Sequence, residues 1–246
     1  MSKTFEVAYF VDENREISIQ AVANQIENNR DTLARYKGNL FCPECRKARL
    51  SFVSKTNNRV AHFRMTQNQQ HKDGCSYIHE YATKDIVTEY VKDLTEKQIE
   101  NKLNAIMNML CKSDARAVNQ SVNSEKNKNN PMVIHISQNN TNHSLRRKSL
   151  SGWLDVDEKQ LYVFYGKVKL AFEKKNGKCG DFYILHIKTK NSNNEWKNKV
   201  NLTSSRIFEN INENSIYRIA MIGSLNKKYM KISLLKNSII YEVIQE

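Results

Sequence analysis

The residues best suited to chemistry are three cysteines in one stretch of the chain. Cys42 and Cys45 flank a Pro-Glu pair in a Cys-x-x-Cys turn, and Cys75 follows after a segment long enough for a hairpin. A Cys-x-x-Cys turn presents two thiolates to one ion, and three or four sulfur and nitrogen ligands at tetrahedral angles suit Zn²⁺. The sequence therefore predicts a zinc site.

The fourth ligand is expected to be a histidine. His62, His71 and His79 are all near the cysteines in sequence, and spacing alone leaves the choice among them open. The other two cysteines, Cys111 and Cys179, stand alone and are interpreted as bystanders. A thioredoxin-like redox pair is the disfavoured alternative, because no strand and helix of that kind follow the Cys-x-x-Cys turn.

The elements around the cysteines are predicted to be a small β module followed by helices. Alternating apolar residues predict strands at residues 5–10, 17–22, 48–54 and 60–65. A short helix is expected within 23–36. From residue 76 to 111 apolar residues recur at helical spacing, which predicts a helix pair or one kinked helix, with Thr95 as a cap. We expect residues 1–111 to form a β-hairpin, zinc-ribbon-like module with following helices.

The last hundred residues are predicted to be all β. Apolar runs and turn residues indicate five strands, at 161–172, 182–189, 196–202, 216–222 and 230–244. A short helix is expected at 204–211, between the third and fourth strands. This order of elements is that of an OB-type barrel.

An Asn-, Ser- and Lys-rich segment, residues 112–149, is predicted to link the two parts, interrupted by an apolar run at 132–136. The expected organisation is a zinc-binding module with a helical extension at 1–111, a linker at 112–149 and an OB-like domain at 150–246. The fold class is α+β.

The charge balance favours a polyanionic partner. The chain has 246 residues, 39 Lys and Arg against 26 Asp and Glu, and a formal net charge of +13. Aromatic side chains can stack on bases while lysines contact the backbone of a single strand. The candidate nucleic-acid-binding residues are Arg146, Arg147, Lys148, Tyr165, Lys167, Lys169, Lys188, Lys190 and Trp196. The alternative interpretation is an ordinary aromatic core with solvated polar strand faces.

Several other classes of protein are disfavoured. No run of about 18 apolar residues is present, so no membrane-spanning helix is expected. The first residues lack the apolar region of a secretory signal, so a cytoplasmic location without a disulfide framework is expected. Glycine-rich phosphate loops, Gly-x-Ser-x-Gly elbows and His-Glu-x-x-His pairs do not occur in the sequence.

Three motifs together carry a resemblance to a known family. They are Phe41-Cys42-Pro43-Glu44-Cys45, Ala61-His62-Phe63-Arg64, and Gly74-Cys75-Ser76-Tyr77-Ile78-His79. Over roughly residues 5–95 the chain resembles the N-terminal zinc-finger-like region of the competence protein CoiA-like family. Met65 stands where that family has the second His of a His-Phe-x-His motif, and His71 is a candidate replacement.

The resemblance also implies a nuclease domain after the zinc region. Here Asp155 is the nearest match to the first acidic position, and Tyr165 occupies the second. Asp181, the other candidate, has His186 where a carboxylate should follow. A Mg²⁺-dependent nuclease needs at least two converging carboxylates, so we assign no catalytic residues.

The leading hypothesis is a zinc-containing protein that binds nucleic acid, DNA rather than RNA and preferably single-stranded. The resemblance implies an accessory subunit in the processing of foreign DNA or in defence against it, with a protein partner in a larger complex. A divergent Mg²⁺-dependent nuclease of the CoiA-like kind is one alternative. A protein-interaction adaptor or inhibitor is the other.

Overall fold

The chain is mostly β-strand with few helices, and it divides into two compact units. The computed structural model describes residues 3–111, 130–177, 180–191, 193–204, 208 and 210–244. The first unit comprises the described residues of Met1–Tyr81 and Lys112–Ser144, and the second those of Ala82–Cys111 and Leu145–Glu246. Residues 112–129 of the predicted linker, Cys179 and part of the expected helix at 204–211 lie outside the described residues.

The first unit is built on a six-stranded antiparallel sheet. Its strands are β1 (Thr4–Phe5), β2 (Val7–Phe10), β3 (Arg15–Ser18), β4 (Leu40–Phe41), β5 (Arg49–Val53) and β6 (His62–Met65), in the order β1-β6-β5-β4-β2-β3. Alternate residues are buried, among them Phe10, Leu40, Leu50 and Phe63. One face of the sheet is therefore packed, and the other carries the intervening side chains.

Two short helices cover the packed face. The strand expected at 17–22 gives way to helix α1 (Ile19–Asn28), because the hydroxyl of Ser18 caps it by accepting a hydrogen bond from the Ala21 N–H at 3.2 Å. Helix α2 (Thr32–Tyr36) follows, and the Tyr36 ring lies 5.1 Å from that of Phe10.

A hairpin in the segment expected to be a linker completes this unit. Strands β7 (Val133–Ile136) and β8 (Thr141–Ser144) pair antiparallel, with Ile134 buried. The Ser144 N–H donates to the carbonyl oxygen of Glu80 at 2.7 Å. The apolar run at 132–136 is thus a strand of a packed element.

Two helices precede the barrel of the second unit, α3 (Lys84–Asp93) and α4 (Glu96–Cys111). Thr95 and Gln98 form a capping box before α4: the Thr95 N–H donates to Gln98 Oε1 at 2.8 Å, and the Gln98 N–H donates to Thr95 Oγ1 at 3.3 Å. The buried side chains of α4 include Ile99, Leu103 and Ile106. The helices group with the second unit, which differs from the domain boundaries expected from the sequence.

The second unit contains a closed five-stranded barrel, as the sequence predicts at this coarse level. Its strands are β10 (Tyr162–Gly177), β11 (Gly180–Lys190), β12 (Trp196–Ser204), β13 (Tyr217–Asn226) and β14 (Lys231–Val243), and a short β9 (Arg147–Ser149) lies parallel to β10. The order is β10-β11-β12-β14-β13 and back to β10, with β12 and β14 parallel. Strand β10 closes the barrel because its first half pairs with β13 and its second half with β11.

The inside of the barrel is filled with aliphatic and aromatic side chains that alternate with outward residues. The buried set includes Val168, Leu170, Leu185, Ile187, Val200, Leu202, Ile219, Met221 and Ile232. Helices α3 and α4 pack against β14, and α4 also contacts β10 and β13. The ammonium group of Lys236 on β14 donates to the Lys92 carbonyl oxygen at 2.8 Å, at the C-terminal end of α3.

Candidate metal centre

Cys42 and Cys45 lie in the turn between β4 and β5. The Cys42 N–H donates to the carbonyl oxygen of Ala48 at 2.8 Å, and the Arg46 N–H donates to that of Cys42 at 2.9 Å. Arg46 adopts a φ of 52°, in the left-handed region, which tightens the turn. The backbone therefore folds the Cys-x-x-Cys segment into a compact knuckle.

His71 and Cys75 come from the loop that follows β6. The Cys75 N–H donates to the Lys72 carbonyl oxygen at 3.1 Å. The Nδ1 of His71 lies 3.4 Å from the Sγ of Cys45 and 3.5 Å from the Sγ of Cys75, and the Sγ atoms of Cys42 and Cys75 are 3.9 Å apart. All four ligand atoms lie within 4.8 Å of one another, so this group could hold a metal ion.

The pKa values of the three cysteine thiols are shifted in different directions. Burial raises the pKa of the Cys42 thiol to about 12. The hydrogen bond with Cys42 raises the pKa of Cys75, and the hydrogen bonds with Cys42 and Cys75 lower that of Cys45. A bound cation would favour the thiolate form of all three cysteines.

Glu44, the residue between proline and the second cysteine, connects the two halves of the cluster. Its Oε1 accepts hydrogen bonds from the Ser76 N–H at 2.5 Å and from Asn130 Nδ2 at 2.6 Å, and its Oε2 accepts one from Ser76 Oγ at 2.7 Å. Asn130 also donates to the Gly74 carbonyl oxygen at 2.8 Å. Sequence reasoning missed this role because Ser76 and Asn130 are 32 and 86 residues away.

Aromatic rings hold the imidazole of His71. It stacks on Phe5, with ring centroids 6.0 Å apart, and on Tyr77, with centroids 5.8 Å apart. The Phe5 and Tyr77 rings are themselves 4.4 Å apart. Strand β1 and the 3₁₀ helix (Ser76–Ile78) therefore orient the histidine toward the sulfurs.

The other candidate histidines lie elsewhere. His62 is not part of the cluster: it is buried on β6, and its Nδ1 lies 3.0 Å from the carbonyl oxygen of Val60. Burial and then the charge of Lys3 lower the pKa of His79, whose backbone carbonyl accepts a hydrogen bond from the Lys3 ammonium. Of the three histidines that spacing left open, the structure brings His71 to the cysteines.

Five of the predicted nucleic-acid-binding residues share the outer face of β10, β11 and β12. The ammonium groups of Lys169 and Lys190 lie 5.7 and 5.6 Å from the centroid of the Trp196 ring. Lys188 pairs with Lys169 across the strands, and Lys190 pairs with Trp196. Lys167 is exposed two residues before Lys169. The structure therefore places four lysines and one indole on the same outer face of the barrel, with two of the ammonium groups near the ring, and we call this set the barrel surface.

The basic cluster before the barrel is not the exposed patch that the sequence suggested. Lys148 is buried, and its Nζ donates to the Asp155 carbonyl oxygen at 2.9 Å. Arg146 and Arg147 are half-buried, as is Tyr165. The reason is that β9 pairs with β10, with Lys148 opposite Phe164, which encloses these side chains.

The candidate nuclease carboxylates each face a lysine. Asp155 Oδ1 lies 3.4 Å from Lys227 Nζ, and Asp181 Oδ2 lies 2.5 Å from Lys174 Nζ. Among the residues that the structure describes, the cysteine and histidine group is the one cluster of three or more side chains suited to a metal.

Three further findings concern membrane spans, the placement of the two sites and related proteins. In the part of the chain with described structure, no helix is both long and apolar enough to cross a membrane. The metal cluster and the barrel surface are built by separate units, the first by the loops of the sheet and the second by three barrel strands. Comparison of this chain with protein-family models, curated proteins and solved structures gave no match.

Proposed function

We propose that Cys42, Cys45, His71 and Cys75 form a structural zinc centre. A tetrahedral zinc with ordinary bond lengths separates two sulfurs by about 3.8 Å, and a sulfur from a histidine nitrogen by about 3.6 Å. The corresponding distances are 3.9 Å between sulfurs and 3.4 and 3.5 Å from sulfur to nitrogen. Four protein ligands leave no open position for a reacting water, which is typical of structural zinc.

The donor set also argues for zinc over harder ions. Magnesium and calcium take oxygen ligands, whereas thiolate and imidazole suit zinc, copper and iron. Zinc in this position would fix the knuckle between β4 and β5 to the loop after β6. Its contribution would be folding stability in the first unit.

We infer that the second unit binds single-stranded nucleic acid on the barrel surface. The observation that carries this proposal is the closeness of Lys169 and Lys190 to Trp196, with their ammonium groups 5.7 and 5.6 Å from the centroid of its ring. Numbered from β10, the closed barrel has the strand order 1-2-3-5-4-1, with the third and fifth strands parallel. OB-type barrels bind oligonucleotides on the face of their second and third strands, which here are β11 and β12.

The chemistry of this surface suits a single strand better than a duplex. An indole can stack on a base only when the face of that base is exposed, and such stacking contributes about 1–3 kcal/mol per base. The lysines neutralise phosphates and release counterions. The net charge of +13 points in the same direction.

The motif resemblance supplies the proposed setting. The Cys-Pro-Glu-Cys and Gly-Cys-Ser motifs resemble those of CoiA-like proteins. We propose an accessory, cytoplasmic role beside enzymes that process or resist foreign DNA, with a second protein as partner.

Metal analysis tests the zinc centre. We expect one zinc per chain in protein purified without chelator, and loss of that zinc in Cys42→Ser. Cys111→Ser is the matched control, because Cys111 lies on α4 outside the cluster. Native protein with no zinc, or an unchanged zinc content in Cys42→Ser, would contradict the proposal.

Fluorescence anisotropy with labelled oligonucleotides tests the barrel surface. We expect tighter binding of a single strand than of a duplex of the same sequence, and weaker binding at about 200 mM than at about 50 mM salt. Lys190→Gln should reduce the slope of log affinity against log salt by about 0.7. Lys97→Gln, at an exposed position of α4, is the matched control and should leave the slope unchanged.

Trp196→Leu separates stacking from charge. It should lower single-strand affinity by about 1–3 kcal/mol while leaving the salt slope unchanged. Absence of single-strand binding at low salt, or equal affinity of Trp196→Leu and the native protein, rules out this role for the barrel surface.

A further inference from the structure

The outer face of the first unit's sheet carries two adjacent aromatic rings, each beside an arginine. Tyr9 on β2 and Phe41 on β4 are cross-strand partners. The guanidinium carbon of Arg46 lies 4.2 Å from the centre of the Tyr9 ring, and that of Arg49 lies 5.9 Å from the centre of the Phe41 ring. These residues alternate with buried ones such as Leu40, so they face away from the packed side.

The positive charge extends along the same face. Arg49 pairs with Phe41 across β4 and β5, and Arg64 pairs with Ser51 across β5 and β6. Arg46, Arg49 and Arg64 are all exposed. Glu16, across from Tyr9 on β3, is the acidic member of this row. Three guanidinium groups therefore lie on a face that also offers two half-buried rings.

We propose that this face, the sheet surface, is a second binding site for a single-stranded polynucleotide. The Arg46 guanidinium would move off the Tyr9 ring to a phosphate, so that bases stack on Tyr9 and Phe41 while Arg46, Arg49 and Arg64 bind phosphates. Aromatic rings and guanidinium planes both stack on unpaired bases, and the arginine fork binds phosphate in bidentate fashion.

The combination of aromatic rings and arginines favours a single-stranded polynucleotide over a duplex or an acidic protein. A duplex would use the arginines but would hide the base faces from the rings. An acidic protein would meet the charges through carboxylate side chains that carry no ring, whereas every nucleotide joins a phosphate to a flat base that can stack on Tyr9 or Phe41. The complementarity of both charge and shape therefore favours a single strand.

The sheet surface depends on the same turn as the metal cluster. Arg46 follows Cys45 directly, and its N–H donates to the carbonyl oxygen of Cys42. The knuckle that presents two sulfurs inward thus places a guanidinium over the Tyr9 ring. The residues of the sheet surface all belong to the first unit, so this proposal goes beyond the function proposed for the barrel.

Photo-crosslinking of the full chain tests the proposal directly. The probe is an oligodeoxythymidylate of about 15 nucleotides with photoreactive bases, and the crosslinked peptides are identified by mass spectrometry. We expect crosslinks in the peptides that contain Tyr9 and Phe41. Crosslinks confined to β10, β11 and β12 would overturn the sheet surface and leave the barrel proposal intact. Crosslinks confined to the first unit would support the sheet surface and refute the barrel.

Affinity measurements with variants give the second readout. Phe41→Leu should weaken single-strand binding at least about fivefold. Arg49→Gln should reduce the salt slope by about 0.7. Arg30→Gln, an exposed arginine between α1 and α2, carries the same charge change and should bind as the native protein does.

Folding of each variant is checked by circular dichroism and thermal melting. If Phe41→Leu is unfolded, Arg64→Gln on the exposed edge of the face replaces it and should reduce the salt slope similarly. Native affinity in both Arg49→Gln and Arg64→Gln overturns the proposal. Equal weakening of single-strand and duplex binding in Phe41→Leu overturns the stacking that it requires.

Discussion

Glu44→Ala is expected to loosen the hairpin β7–β8 and to weaken metal binding. The carboxylate of Glu44 accepts three hydrogen bonds, two from Ser76 and one from Asn130. Ser76 is completely buried and Glu44 is half-buried, so removal of the carboxylate takes this acceptor from the Ser76 N–H and hydroxyl at a site with restricted access to water. Asn130 precedes β7 and holds the start of the hairpin through its side chain, which also accepts a hydrogen bond from the Met132 N–H at 2.9 Å.

The size of the effect follows from these contacts. A hydrogen bond to a charged group contributes about 1.5–3 kcal/mol, and three bonds that share one carboxylate are less than additive. We expect Glu44→Ala to cost about 3–5 kcal/mol of local stability in the first unit. Glu44→Gln keeps one acceptor oxygen, and the Ser76 hydroxyl can rotate to accept from the new amide, so its cost should be about 1–2 kcal/mol.

Amide hydrogen exchange measured by mass spectrometry resolves this effect by segment. Peptides that cover residues 133–144 should exchange about two to four orders of magnitude faster in Glu44→Ala, and about tenfold faster in Glu44→Gln. Peptides from β13 serve as the internal control and should not change. Zinc affinity should fall about 10- to 100-fold in Glu44→Ala, as is typical when a group that supports the ligands is removed.

Two results would refute this reasoning. If residues 133–144 exchange at the native rate in Glu44→Ala, the carboxylate does not hold the hairpin. If alanine and glutamine accelerate exchange equally, the hydrogen bonds that the glutamine retains contribute nothing, and the loss arises from charge alone.

Three further predictions concern the metal, the barrel and a half-buried lysine. Removal of the metal with a chelator should accelerate exchange in peptides that contain Cys42 and Cys75 and leave β13 unchanged, and added zinc should reverse the effect. Gly223→Ala should destabilise the barrel by about 2–3 kcal/mol, because its new methyl carbon would lie 2.4 Å from the Ser233 carbonyl oxygen. Denaturant unfolding followed by tryptophan fluorescence measures this loss of stability. An unfolding midpoint equal to that of the native protein would contradict the prediction. Burial lowers the pKa of Lys102 from 10.5 to about 8, so between these values the unfolded chain binds more protons and stability should rise with pH. Lys102→Met should flatten that rise and stabilise the protein at pH 7, as unfolding midpoints at pH 7 and about 10 would show; an unchanged pH profile would rule out this assignment.

The barrel strands could be predicted because their alternation is local. Val168 and Leu170 point inward while Lys167 and Lys169 point outward, and this period of two is visible in the sequence. Closure of the barrel could not be predicted from the alternation of residues within a strand. It depends on β10 changing partners from β13 to β11 near Lys169, and nothing in the composition of β10 specifies distant partners.

In the candidate metal centre, too, the local features could be predicted from the sequence and the tertiary contacts could not. The Cys-x-x-Cys turn is a local feature, so Cys42 and Cys45 could be recognised from spacing. The choice of His71 over His62 depends on a loop that returns to the knuckle and on the rings that orient the imidazole, which are tertiary features. A zinc-ribbon architecture was expected around the cysteines, whereas the cluster sits at one end of a six-stranded sheet whose topology spacing does not reveal.

Lys148 shows why a charge run is weak evidence of a surface. The sequence Arg146-Arg147-Lys148 suggests a phosphate-binding patch, yet pairing of β9 with β10 buries the lysine and directs its ammonium to the Asp155 carbonyl oxygen. Net charge therefore cannot locate a binding surface, because backbone pairing decides which cations reach solvent.

The two proposed surfaces differ from other positively charged parts of the protein because their cations lie beside aromatic rings. Free lysines attract any polyanion, and that attraction weakens with salt in the same way for DNA, RNA and acidic proteins. An indole beside Lys169 and Lys190, or a Tyr9 ring under Arg46, adds a flat apolar partner on which an exposed base can stack and a paired base cannot. Stacking responds little to salt, so single-strand binding at high salt should persist through Trp196 and Phe41 after the contribution of the charges is screened. The specificity of this protein for single strands would then come from its aromatic residues, and its excess of cations would mainly set the rate and salt range of association.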